Sequence, residues 1–150
     1  MILEKQAAVF VNILNSRLKK QLGEVFKMNH INLTAEQFLV MDALWNEGTM
    51  TQQEIAYLIQ KDKNSVTQLV DNLEKKGLVT RSIDRKDRRV NNIVVTEQGM
   101  LMKDSTKEIA INAMTRFLSG VSESDLQVFV SVLKRVCSNI SDSSQNPDAE

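Results

Sequence analysis

Residues 61–99 read KDKNSVTQLV DNLEKKGLVT RSIDRKDRRV NNIVVTEQG, and this stretch decides the fold. Its first part carries apolar residues at helical spacing, Val66, Leu69, Val70 and Leu73, behind an aspartate, Asp62, that can cap a helix beginning at Lys63. Gly77 then marks a stop, because the residue past a helix C-terminus commonly adopts a positive φ. After it the period changes. Leu78 to Ile83 and Val90 to Val95 are rich in β-branched residues and predict a hairpin over 78–95. Between them stand Asp84, Arg85, Lys86, Asp87, Arg88 and Arg89, a six-residue tip with four cations.

Upstream, Thr51-Gln52-Gln53-Glu54 and Thr34-Ala35-Glu36-Gln37 each set a hydroxyl three residues before an acid or amide, the pattern of a capping box. They predict helices over 52–60 and 35–47, with Gly48 ending the latter, and a long helix over 3–28 precedes them. Downstream, a helix over 97–119 ends before Gly120, and Ser122-Glu123-Ser124-Asp125 opens another over 123–140. Apolar stripes at Phe10, Ile13, Leu14 and Leu18 in the first helix, and at Phe38, Met41, Leu44 and Trp45 in the second, read as core. The helices over 52–60 and 63–76, joined around Gln60 to Asp62, have the dimensions of a helix-turn-helix.

The 150 residues are 42% hydrophobic and 25% charged, the composition of an ordered globular protein of about one domain. Nineteen basic and nineteen acidic side chains sum to zero, which taken alone argues against a nucleic-acid partner. The distribution argues otherwise: residues 61–89 hold nine basic and five acidic side chains, residues 1–60 five and six, and residues 90–150 five and eight. The excess positive charge lies in the helix and hairpin just described. Opposite the apolar stripe of that helix stand Lys63, Asn64, Ser65, Thr67, Gln68, Asp71 and Asn72, mostly short hydrogen-bonding groups suited to base edges. A tip bearing Arg85, Lys86, Arg88 and Arg89 suits the electronegative minor groove, and Asp84 and Asp87 are expected to hold neighbouring arginines in bidentate pairs.

Other chemistries find little support. No run of 18 apolar residues exists and residues 1–5, with Glu4 among them, lack the layout of a secretory signal, so no membrane association and a cytoplasmic location are expected. One cysteine excludes an internal disulfide and one histidine, His30, a His-rich zinc site. Cys137, among Leu133, Val136 and Ile140, reads as a buried packing residue. No nucleophile with a partner base and no glycine-rich phosphate loop is present, so neither enzymatic activity nor a cofactor or metal is expected. The outer helices, with Ile2, Leu3, Val9, Phe10 and Leu22 at one end and Ile109, Met114, Phe117, Leu118, Leu126, Phe129, Leu133 and Val136 at the other, hold more apolar face than one small winged unit covers. That surplus predicts a homodimer, whose symmetry also supplies two half-sites for DNA.

Thr51-x-x-Glu54-Ile55-Ala56, Ser65-x-Thr67-x-Leu69-Val70-Asp71-x-Leu73-Glu74-Lys75-Lys76-Gly77-Leu78-Val79, Arg81, Asp84-x-Lys86-Asp87-Arg88-Arg89 and Thr96-Glu97-Gln98-Gly99 together resemble the MarR family of winged-helix transcriptional regulators over about residues 5–140. The resemblance implies a mainly α fold with a small β-wing, in which residues 34–96 form a winged helix-turn-helix DNA-binding region. Residues 1–33 and 97–140 would form a helical dimerisation region, and 141–150 a flexible acidic tail. It implies that the helix from Lys63 enters the major groove, with Ser65, Thr67 and Gln68 reading bases or phosphates and Lys63 and Asn64 facing phosphate, while the tip enters the minor groove. Two positions depart from the family pattern: Arg85 stands where proline is common, and Lys86 where arginine is common, so a different tip cation enters the groove or Arg85 substitutes.

The family often binds small phenolic or anionic effectors in a crevice beside the dimer helices, for which Met28, His30, Met41, Trp45 and Arg116 are the candidates by position. Its peroxide-sensing branch keeps a reactive cysteine near the N-terminus, and Cys137 is not so placed. The expected function is a homodimeric repressor that occludes a promoter at a palindromic operator on double-stranded DNA and is released by a small-molecule effector. The alternatives are a helical protein-interaction module, and a DNA-binding activator or nucleoid-type protein.

Overall fold

The computed structural model describes residues 1–140 as mainly helical with one small antiparallel sheet, the winged-helix class of fold. In chain order the elements are α1 (Leu3–Met28), α2 (Ala35–Glu47), β1 (Met50–Thr51), α3 (Gln52–Ile59), α4 (Lys63–Lys75), β2 (Val79–Ile83), β3 (Asn91–Val95), α5 (Glu97–Leu101), α6 (Lys103–Phe117) and α7 (Glu123–Asn139). The chain divides into two compact units, the first running from Met1 to Met114 and the second beginning at Thr115. The tail expected over 141–150 lies outside the described residues.

Local chemistry sets the helix starts. Thr34 Oγ1 accepts the Gln37 amide while the Thr34 amide donates to Gln37 Oε1, both at 3.1 Å, and Thr51 and Glu54 repeat the box at 3.1 and 3.0 Å. Asp62 caps α4 through the Ser65 amide at 2.8 Å. Ser122 Oγ accepts the Asp125 amide, capping α7. Gly48, Gly77 and Gly120 all have positive φ after a helix. The turn between α3 and α4 uses a non-glycine residue in the left-handed region, Gln60 at φ 56°, a conformation that costs a side-chain-bearing residue about 1 kcal/mol.

In the first unit the core is built where these helices meet the sheet. Phe26 of α1, Val40, Met41 and Leu44 of α2, Ile55 of α3, Val66, Val70 and Leu73 of α4 and Ile93 of β3 are buried. Phe38 bridges Phe26 and Trp45, with ring centroids 5.2 and 6.4 Å apart. The sheet order is β1-β3-β2, with Val79 opposite Val95 and Ile83 opposite Asn91 in the hairpin. A half-exposed bridge ties α1 to the helix-turn-helix: Glu36 accepts Lys19 at 2.8 Å and Lys61 at 3.2 Å, and these two ammonium groups hold its carboxyl below the ordinary range.

Five features differ from the sequence-based expectation. The helix expected over 97–119 is two, α5 and α6, separated at Met102, whose ψ of −3° departs from helical values. The cause lies at Gly99: its backbone packs against Leu78 of the preceding strand entry and its carbonyl accepts the Trp45 indole, so α5 is held to the sheet before α6 sets its own direction. A third strand, β1, pairs Met50 with Ile93 and Thr51 with Asn92; two residues show no alternation from which to read it. Of the α1 stripe, Phe10 is 62% exposed and Leu14 42%, whereas Leu22, grouped above with the surplus face, is buried beside Phe26. The N-terminal part of α1 therefore presents its apolar face outward, and only its C-terminal part enters the core. In the second unit, α7 has no buried residue, and Cys137 is exposed rather than buried. No helix among the described residues is long and apolar enough to cross a membrane.

Candidate nucleic-acid interface

The outward face of α4 consists of short polar side chains in two conditions. Lys63, Asn64 and Gln68 are exposed. Ser65 and Thr67 are half-buried and already engaged: Ser65 Oγ donates to Asp62 Oδ2 at 2.9 Å, and Thr67 Oγ1 donates to the Lys63 carbonyl at 2.9 Å while accepting from Gln52 Nε2 at 3.1 Å. The bonds at Ser65 and its amide lower the Asp62 carboxyl. A cleft of about 760 Å³ opens between α3, α4 and the wing, lined in part by Gln52, Lys63, Thr67, Arg81 and Arg89.

Arg81, in the middle of β2, fixes the floor of that cleft. Its guanidinium reaches Asp71 at 2.6 Å and Glu74 at 3.0 Å on α4, and donates to Gln52 Oε1 at 3.0 Å and to the Thr67 carbonyl at 3.4 Å. One planar fork thereby joins β2, the start of α3 and three positions of α4. Arg81 was quoted above only within a family motif, and Gln52 only within a cap. The available signal was Asp71 and Glu74, two carboxylates three residues apart on one helix face, facing the next strand's single cation.

The tip is closed by backbone bonds from Asp84 N to Val90 O and from Val90 N to Asp87 O, each 3.0 Å. The two aspartates do different things. Asp87 holds Arg89 in a two-pronged pair, Nε to Oδ1 and Nη2 to Oδ2, both at 3.1 Å, which lowers the Asp87 carboxyl and raises the Arg89 guanidinium. Among the described residues, Asp84 pairs with no arginine. Its carboxylate instead accepts the backbone amides of Lys86 at 2.7 Å and Asp87 at 3.2 Å and the Asn92 side chain at 3.3 Å, bonds that hold it below the ordinary carboxylate range. A short side chain next to free loop amides satisfies them better than it could reach an arginine. Arg85, Lys86 and Arg88 are exposed and, among the described residues, form no ion pair.

The residues considered for an effector are scattered. A crevice of about 750 Å³ follows the C-terminal half of α1 and the loop to α2, with Lys19, Lys20, Lys27, His30 and Lys76 on its walls. His30 is thus at the crevice, in a left-handed conformation with φ 59°. Met28 is exposed at the end of α1 and does not line it, and Met41 and Trp45 belong to the core of the first unit. Arg116 falls in the last turn of α6, past the unit boundary. Lys76, which sequence reading did not single out, donates to the Asn32 carbonyl at 2.9 Å and to Gln37 Oε1 at 2.7 Å, and its burial pushes the amine pKa down. No group of three or more His, Cys, Asp or Glu among the described residues is placed to hold a metal ion.

The sequence profile of the MarR family matches residues 33–90, from the entry of α2 to the end of the wing loop. The chain is 32% identical over 138 residues to the HTH-type transcriptional regulator MhqR of Bacillus subtilis (strain 168), covering 89% of this chain and 92% of that protein. Among solved structures, the Staphylococcus aureus MepR–DNA complex superposes with a TM-score of 0.79 at 24% identity, covering 88% of this chain and 96% of that one. The organohalide-sensing RdhR transcriptional regulator in its 2,4-dichlorophenol-bound form superposes with a TM-score of 0.84 at 18% identity, covering 93% and 82%. Those two likenesses concern the fold; the identity and coverage with MhqR, added to the profile match across the winged segment, make this chain a member of the MarR family of DNA-binding transcriptional regulators.

Proposed function

We propose that the protein is a homodimeric repressor that binds a palindromic operator, α4 in the major groove and the wing tip in the minor groove of each half-site. The observation that carries this reading is the pairing of an exposed polar face on α4 with a tip whose Arg85, Lys86 and Arg88 are exposed and, among the described residues, form no ion pair, on a hairpin that Arg81 of β2 ties to α4. Lys63 and Asn64 face phosphate, Ser65, Thr67 and Gln68 face base edges, and Arg89 with Asp84 and Asp87 shapes the tip. Residues 1–33 and 97–140 join the two subunits and residues 34–96 read DNA. The exposed apolar side chains support that division: Leu3, Phe10 and Val11 on α1, and Val128, Phe129 and Val132 on α7, each need cover in water. A two-fold axis then presents two recognition helices to half-sites roughly 34–36 Å apart.

A small anionic or phenolic effector in the lysine-walled crevice releases the operator. MepR bound to DNA and RdhR bound to 2,4-dichlorophenol are the neighbours that make both halves of this reading natural for the fold. The test is selection of bound sequences from random duplex DNA, followed by affinity measurements across salt. A palindrome and a log K that falls several units per log unit of salt are expected, since several phosphates are neutralised per dimer. Negligible duplex binding at low salt would overturn the reading, and binding without sequence preference would replace it with a nucleoid-type role. Gln68→Ala should cost about 1–3 kcal/mol of discrimination at one base pair per half-site. An equal loss on every duplex would remove Gln68 from base reading.

A further inference from the structure

On the reading that α4 lies in the major groove, we infer that Thr67 recognises a thymine through its γ-methyl group, and that Gln52 is the positioning residue that turns the methyl to the base. The hydroxyl is spent inside the protein. Its proton goes to the Lys63 carbonyl one turn back, and its oxygen accepts from Gln52 Nε2. Gln52 is itself held, because its other amide atom, Oε1, accepts from Arg81 Nε, so the amide cannot flip without losing both bonds. The Thr67 backbone carbonyl takes a further bond from Arg81 Nη2. With the oxygen bonded to the helix backbone and to α3, χ1 is fixed, and of this half-buried side chain on the cleft wall the methyl carbon is the group with no hydrogen-bonding role inside the protein. In the major groove only thymine offers an apolar partner, its C5-methyl. Gln68, exposed and with no side-chain hydrogen bond among the described residues, keeps its amide for a base edge, so adjacent positions of α4 divide the work between apolar and polar contact.

The experiment uses the full-length protein and the duplex recovered by the selection above, with each thymine replaced in turn by uracil, which lacks only the C5-methyl. Wild type should lose about three- to fivefold in affinity at one thymine per half-site, the worth of roughly one buried methyl. Thr67→Ser, which keeps the hydroxyl and lacks the methyl, should bind thymine and uracil duplexes equally at that position. Thr67→Val, which keeps a methyl and lacks the hydroxyl, should retain the uracil penalty even if its affinity falls uniformly. Gln52→Ala should shrink the penalty without abolishing binding. The inference is overturned if no thymine shows the penalty, if the penalty persists in Thr67→Ser, or if it vanishes in a folded Thr67→Val, which would make the hydroxyl the reader. If Thr67→Val does not fold, as judged by its melting curve, the comparison of Thr67→Ser with wild type decides alone. A selection that yields no preferred duplex refutes the groove assignment itself, an outcome distinct from all of these.

Discussion

Replacing Gly99 by alanine tests the joint between α5 and the sheet. A Cβ on Gly99 would stand 2.4 Å from the Leu78 carbonyl oxygen and 2.7 Å from Val95 Cγ1. The valine can turn, but the carbonyl is backbone, and reaching ordinary van der Waals distance requires α5 to move by about 1 Å. That shift strains the Thr96 amide bond to the same Leu78 carbonyl, now 3.0 Å, and the Trp45 indole bond to Gly99 O, now 3.2 Å. Overpacking of this kind costs about 1–3 kcal/mol and each weakened hydrogen bond about 1 kcal/mol. Alanine returns about 1 kcal/mol through helix propensity. The net expectation is a loss of about 3 kcal/mol, a fall in Tm of about 6–12 °C for a chain of this size. Trp45 is the single tryptophan, so its fluorescence during urea unfolding reports on the altered contact directly, with protomer concentration held equal for both proteins. An unchanged or raised midpoint would refute the claim that Gly99 is required by close backbone approach.

Three further outcomes are expected. Arg88→Ala should lower the salt slope of DNA binding by about one, and a slope equal to wild type would mean that Arg88 meets no phosphate. Acid should loosen the wing tip: Asp84 and Asp87 have lowered carboxyls, so their support is complete above the ordinary aspartate pKa and is lost as pH falls through the lower folded values. Amide exchange at Lys86, Asp87 and Arg89 should therefore accelerate relative to the sheet as pH falls below about 4, and tip protection that tracks the sheet throughout would contradict this. Thr106→Val should raise the urea midpoint by the equivalent of about 1 kcal/mol, because Thr106 Oγ1 is buried with no hydrogen-bond partner among the described residues; a lowered midpoint would show that the hydroxyl is satisfied.

What was legible in the sequence was whatever is encoded over a few neighbouring residues. Thr34 with Gln37, and Thr51 with Glu54, announce helix starts because the capping bonds close within four residues, and Gly48, Gly77 and Gly120 announce stops because one dihedral suffices. The hairpin was legible from its period and its charged tip. What escaped depends on partners distant in sequence. The break at Met102 follows from Gly99 meeting Trp45, 54 residues away, and β1 exists only by virtue of β3. Periodicity identifies an apolar face without saying what covers it, so Phe10 and Leu14 look like Leu22 although only Leu22 is buried. Composition likewise counts Asp84 and Asp87 alike, while one holds loop amides and the other an arginine.

Thr51 belongs to two elements at once: it pairs with Asn92 in the sheet and its hydroxyl begins α3 at the next residue. No linker separates strand from helix there, and Asn92 extends the same joint outward by gripping Asp84 at the root of the tip. The hairpin is accordingly a lever with a fixed fulcrum. A residue inserted after Thr51 would part the strand pair with Asn92 from the cap that begins α3, so the length of the chain is set there by two elements at once, while Arg81 still ties β2 to α4.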